Sequence, residues 1–179
     1  MRRDFKVPRM EEVLEHDRKL LFALKQSMGF VPNVYAFMTR SETALKRFMD
    51  FMDVSTVFDR IQTEAIHLVT SQVNQNPYCL AAHTALAKEA GLSDKQIEAI
   101  RKGNWDEKLD TLVDFTCELV TNRGKVGPEM IGRFYQAGYT DACLVDLVML
   151  VGMTTITNYL NNATWIPVDF PEAPVIICK

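Results

Sequence analysis

Apolar residues recur at three- and four-residue intervals along most of the chain, and alternating runs of β-branched residues bounded by turns are absent. The pattern predicts helices throughout and no significant sheet. A first amphipathic helix spans about Arg9 to Ser27 and stops before Gly29. Pro32 opens a short helix to about Thr39, and Ser41 caps another that runs to about Val54. Asp59 with Gln62 resembles a capping box and starts a helix to about Asn74. Pro77 begins the next, which Gly91 closes after Ala90. Ser93 with Gln96 is a second capping box, for a helix ending before Gly103. Asp106 caps a long helix to about Asn122. Pro128 starts one ending at Gly138, and Thr140 caps the last, from Asp141 to about Asn161. The tail Trp165–Lys179 carries Pro167, Pro171 and Pro174, which predict an extended segment docked by its apolar residues.

Two helices stand out. In the one from Asp59 to Asn74, Ile61, Ala65, Leu68, Val69 and Gln72 share a face, and Glu64, His67 and Ser71 line its edge. The one from Asp141 to Asn161 is apolar nearly all round, with Leu144, Val145, Leu147, Val148, Met149, Leu150 and Val151 in close succession. Such a helix belongs at the centre of a core, in a subunit interface, or in both.

A length of 179 residues suits one domain with a sizeable core, and 47% hydrophobic with 24% charged residues is ordinary for a globular protein. The net charge of -3 and the small basic clusters Arg2-Arg3 and Arg101-Lys102 argue against nucleic-acid binding. The N-terminus has no apolar h-region of a secretory signal. The run Ala142–Ile156, broken by Asp146, is too short to predict a membrane span. Cys79, Cys117, Cys143 and Cys178 are irregularly spaced and read as reduced thiols of a cytoplasmic protein. No Gly-x-Gly-x-x-Gly occurs, so no flavin, nicotinamide or other cofactor is expected.

The chemistry concentrates in Glu64–His83. Asn76 is a good N-cap and Pro77 suits the first helical position. Cys79 then falls at the third, near the positive end of the helix dipole, with His83 one turn on along the same face. That environment lowers a thiol pKa and favours the nucleophilic thiolate. Glu64 lies on the preceding helix, across the short turn Gln75-Asn76. If the three side chains meet, Cys79 is the nucleophile, His83 exchanges its proton, and Glu64 orients or charges the histidine. By position alone, Cys79 reads equally as a small buried hydrophobe, and Asn76 as a plain cap. Cys117 and Cys143 read as core, Cys178 as an exposed tail thiol, and His16 and His67 as surface residues. The methionines read as core filler. Metal binding by Cys79, His83 and Glu64 fits the ligand types but lacks a second ligand pair.

The order glutamate, Asn76-x-x-Cys79, histidine resembles the carboxymuconolactone decarboxylase-like superfamily, in its alkyl hydroperoxidase D-like branch. Glu64, Cys79 and His83 match the family's glutamate, second cysteine and histidine. Ser71, Asn74 and Tyr78-Cys79-Leu80-Ala81-Ala82-His83 are also similar. So are Gly29-Phe30-Val31-Pro32-Asn33, Asn158-Tyr159-Leu160-Asn161 and Pro167-Val168-Asp169-Phe170-Pro171, which resemble longer peroxidase-related members. Asn76 replaces the first cysteine. The resemblance implies an all-α, single-domain helical bundle over 1–179, with N-terminal helices in 1–56, the motif-bearing core in 57–123 and an extended tail in 163–179. It implies a homo-oligomer (dimer, trimer or hexamer) and a thiol-dependent peroxidase, with Cys79, His83 and Glu64 as the catalytic residues. A one-cysteine cycle would then turn a small hydroperoxide into an alcohol, and an external thiol or Cys178 would reduce the resulting sulfenic acid. The alternatives are acid–base chemistry by Glu64 and His83 on a small lactone or organic acid, and a non-enzymatic oligomeric binding protein.

Overall fold

The computed structural model describes residues 5–52 and 55–176, and among these the chain is helical without strands. A 3₁₀ turn, Met10–Glu12, precedes α1 (Glu15–Met28), α2 (Asn33–Met38), α3 (Ala44–Met52), α4 (Arg60–Val73) and α5 (Pro77–Glu89). Then come α6 (Asp94–Lys102), α7 (Glu107–Thr121), α8 (Pro128–Gln136) and α9 (Asp141–Thr164). Both expected capping boxes form, at Asp59/Gln62 and Ser93/Gln96. The helix expected from Arg9 begins only at Glu15. Glu12 folds back to accept the Arg9 N–H at 2.9 Å, and Val13 then leaves the turn in an extended conformation. Val54, the expected end of α3, lies outside the described residues.

The chain forms two compact units, Met1–Ser55 with Tyr159–Asp169 and Thr56–Asn158 with Phe170–Lys179. In the first unit, Asn33 ties two segments that are distant in sequence. Its backbone N–H donates to Asp169 Oδ2 at 2.7 Å and its Nδ2 to the Pro167 carbonyl at 3.1 Å. Asp17, in the charged run of α1, is fully buried there, with His16 Nε2 3.6 Å from Oδ1. His16 is exposed, as expected, and also bonds to the Glu42 carbonyl at 3.0 Å.

The second unit is built around α4. Every residue from Glu64 to Ser71 is buried, with α5 and α7 packed along it. Ala81 and Ala87 on α5 are buried, and side chains this small let two helices approach closely. Leu112 and Phe115 of α7, Phe134 of α8 and Leu147 of α9 close the core, with the Phe115 and Phe134 rings 4.5 Å apart.

The central helix is therefore α4, not the more apolar α9. Leu147 is buried and Leu150 and Val151 pack partly against the core, while Val145, Val148, Met149 and Ile156 are exposed. At 24 residues, α9 is long and apolar enough by composition to cross a membrane, contrary to the short span expected from the sequence. Only 22% of its most apolar stretch is buried.

Candidate functional site

Helix α4 ends in a tight reversal that sets the start of α5. The Asn76 N–H donates to the Ser71 carbonyl at 2.9 Å and the Gln75 N–H to the Gln72 carbonyl at 3.0 Å. This is a Schellman closure, whose geometry puts the intervening residue in the left-handed region. Gln75 occupies that position, at φ 51°. The chain then enters α5 immediately, and Asn76 Oδ1 accepts the Cys79 N–H at 2.7 Å. Asn76 is thus the N-cap, and its Nδ2 also donates to the Asn158 carbonyl at 3.0 Å.

The α4–α5 pairing joins Glu64 to His83. His83 Nδ1 lies 2.9 Å from Glu64 Oε2. A carboxylate only accepts, so Nδ1 carries the proton and Nε2 is the nitrogen left for chemistry. His67 joins this pair, which the sequence reading did not foresee. It is 5% exposed rather than on the surface, and its ring stacks on His83 with centroids 4.4 Å apart. Its Nδ1 lies 2.6 Å from Thr154 Oγ1, whose own hydrogen goes to the Leu150 carbonyl at 2.8 Å. His67 Nδ1 is therefore the donor, and Nε2 carries the lone pair. Burial, with the neighbouring His83 charge second, holds the His67 pKa well below the ordinary histidine value.

Cys79 lies beside this arrangement. No hydrogen bond joins it to His83 or Glu64; its thiol donates instead to Thr157 Oγ1, 3.4 Å away. It is 3% exposed. Burial pushes its pKa up, and the smaller opposing pulls of its hydrogen bonds with Thr157 and Asn158 do not offset this. The thiolate-stabilising environment expected from the helix N-terminus is outweighed, because desolvation acts on the whole charge while the dipole supplies a partial one.

Helix α9 supplies the third wall, which sequence reasoning missed. Asn158 is fully buried; its Oδ1 accepts from Asn74 at 2.9 Å and its Nδ2 donates to Ser71 Oγ at 3.2 Å. A signal was available: Thr154, Thr157, Asn158 and Asn161 recur at helical spacing on an otherwise apolar helix, and all four are buried. Of the other cysteines, Cys143 is partly buried against the core, but Cys117 is exposed on the outer face of α7. Cys178 lies outside the described residues. Among the described residues, no group of three or more His, Cys, Asp or Glu side chains is gathered to hold a metal ion. A cavity of about 450 Å³ lined by Asp106, Glu107, Lys108, Thr111, Arg133 and neighbours shares no residue with the Cys79 site.

The family model of the carboxymuconolactone decarboxylase family matches residues 32–104, which hold the whole Glu64–His83 segment. Solved structures extend the likeness to the rest of the fold. An uncharacterized peroxidase-related protein from Ralstonia eutropha JMP134, with an alkylhydroperoxidase AhpD core, superposes with a TM-score of 0.80. It is 19% identical, and the match covers 88% of this chain and 87% of that one. A peroxidase-related protein from Silicibacter sp. TM1040 gives 0.79 at 20% identity, over 92% of this chain and 89% of the other. A cysteine-to-alanine variant of the debrominase Bmp8, in complex with 2,3,4-tribromopyrrole, gives 0.76 at 14% identity, over 87% and 86%. Among curated proteins, none matches significantly. The all-helical architecture is that of the alkyl hydroperoxidase D-like fold.

Proposed function

We propose that the protein is a thiol-dependent, peroxiredoxin-type enzyme that reduces small hydroperoxides through Cys79. The supporting observation is the Glu64–His83 pair at 2.9 Å, which leaves His83 Nε2 free one helical turn from Cys79. His83 Nε2 takes the thiol proton. The thiolate attacks the distal peroxide oxygen, the S–O bond forms, and the O–O bond breaks. His83 returns the proton to the departing alkoxide, which leaves as an alcohol, and Glu64 holds the imidazolium meanwhile. Cys79 is left as a sulfenic acid. One external thiol condenses with it to a mixed disulfide and water; a second releases Cys79 and carries the disulfide away. Asn76 leaves no resolving thiol at the family's position, so the reductant comes from outside the motif. Free Cys79, Cys117 and Cys143 suit a reducing, cytoplasmic setting.

One observation favours a second reading. Cys79 is buried and bonded to Thr157 rather than to His83, while Glu64 and His83 already form a complete acid–base pair. That pair could move a proton on a small lactone or organic acid with the cysteine as a bystander. Turnover of cumene hydroperoxide with dithiothreitol separates the two. Loss in both Cys79→Ser and His83→Ala supports the thiol cycle, and turnover that survives Cys79→Ser overturns it. The exposed apolar face of α9 is proposed to bury itself in a homo-oligomer.

A further inference from the structure

We propose that Thr157 is a positioning residue for Cys79, whose hydroxyl accepts from the resting thiol and turns to donate to the thiolate once the proton leaves. This role belongs to the same Cys79 site, and alkylation tests it without any peroxide turnover.

The hydrogen count around the site leads there. The Cys79 S–H points to Thr157 Oγ1 at 3.4 Å. The single hydroxyl hydrogen of Thr157 goes to the Thr154 carbonyl, one turn back on α9, at 2.9 Å. In this arrangement Thr157 is an acceptor towards sulfur and a donor towards the backbone. Removing the thiol proton leaves two acceptors, sulfur and hydroxyl oxygen, facing each other in a buried site. The conflict has a local remedy: rotation about the C–O bond swings the hydroxyl hydrogen from the carbonyl to the sulfur. The Thr154 carbonyl loses little, because it sits inside the continuous helix α9 and keeps its place in the i+4 ladder. The thiolate gains a charge-assisted bond in a place where 3% exposure leaves it little water. Burial and the Thr157 hydrogen bond pull the Cys79 pKa in opposite directions.

The titratable groups on the elements packed here are Glu64 and His67 on α4 and His83 on α5; the buried α9 residues Thr154, Thr157 and Asn158 do not titrate. The three titratable groups are common to every variant, so differences between variants at Thr157 report the hydroxyl.

The test is the pH profile of iodoacetamide alkylation, in the full chain with Cys117, Cys143 and Cys178 replaced by serine. The thiolate displaces iodide, forming an S–C bond, so the rate follows the thiolate fraction. Thr157→Val keeps the shape and removes the hydroxyl. The midpoint is expected to rise by about one pH unit, a roughly tenfold slower reaction at neutral pH. Thr157→Ser retains the donor and is expected to titrate within ~0.3 units of the parent. Thr157→Ala carries the same expectation as valine and stands in for it if circular dichroism finds the valine variant unfolded. A valine or alanine midpoint coinciding with the parent overturns the proposal, as does a serine midpoint displaced as far as valine. A change confined to the high-pH plateau, with an unmoved midpoint, also overturns it, since that reports altered access rather than altered ionisation.

Discussion

His67 makes the stability of this fold acid-sensitive. In the folded chain its ring is held neutral by burial against Thr154 and the stacked His83, with its pKa well below the ordinary histidine value. In the unfolded chain it titrates near ~6.5. A depressed folded pKa contributes stability that is fully present above the unfolded value and lost as pH falls towards the folded one. A proton taken up by the unfolded chain and refused by the folded one lowers stability with a limiting slope of about 1.4 kcal/mol per pH unit as pH falls from about 7 through the unfolded value towards about 5. In a chain of this size each kcal/mol so lost lowers Tm by roughly 2–4 °C. The perturbation is His67→Phe, which retains a ring on His83 and loses the Thr154 hydrogen bond and the titration. The variant is offset at every pH, so the quantity to read is the difference in slope. Urea unfolding of both proteins across that range cancels the carboxylates they share. A slope shallower in the variant by roughly 1 kcal/mol per pH unit below about pH 6 is expected. Parallel curves would refute the reasoning, since they would mean that His67 takes up its proton in the folded state as readily as in the unfolded one.

Three further outcomes follow from the geometry. Asn76→Ala removes both the α5 cap and the bond to the Asn158 carbonyl, so it should cost about 2 kcal/mol in chemical denaturation. Gln75→Gly should stabilise by about 0.5–1 kcal/mol in the same assay, because glycine adopts the φ of 51° without the side-chain strain. If α9 mediates self-association, Val148→Glu should lower the mass seen by light scattering and leave the helical signal unchanged; an unaltered mass would place the interface elsewhere.

The local devices of this chain were open to reading from its sequence. Capping boxes, proline starts and glycine stops act over three or four residues, so Asp59, Ser93, Asn76 and Pro77 fixed helix ends wherever the rest of the chain went. The 19-residue separation of Glu64 and His83 signalled their pairing only through likeness to a family, because the crossing of two helices is not encoded in spacing.

Tertiary structure alone decided which helix became central. Hydrophobicity ranked α9 first, but burial depends on how many neighbours surround an element, and α4 is the one with α5, α6 and α7 packed against it. The same packing took His67 out of solvent and brought Thr154, Thr157 and Asn158 from α9 to the motif. It also buried Cys79 deeply enough for desolvation to outweigh the helix N-terminus. Ionisation is governed by everything within a few ångströms, and the side chains that hydrogen-bond the Cys79 thiol, Thr157 and Asn158, come from a part of the chain some 80 residues away.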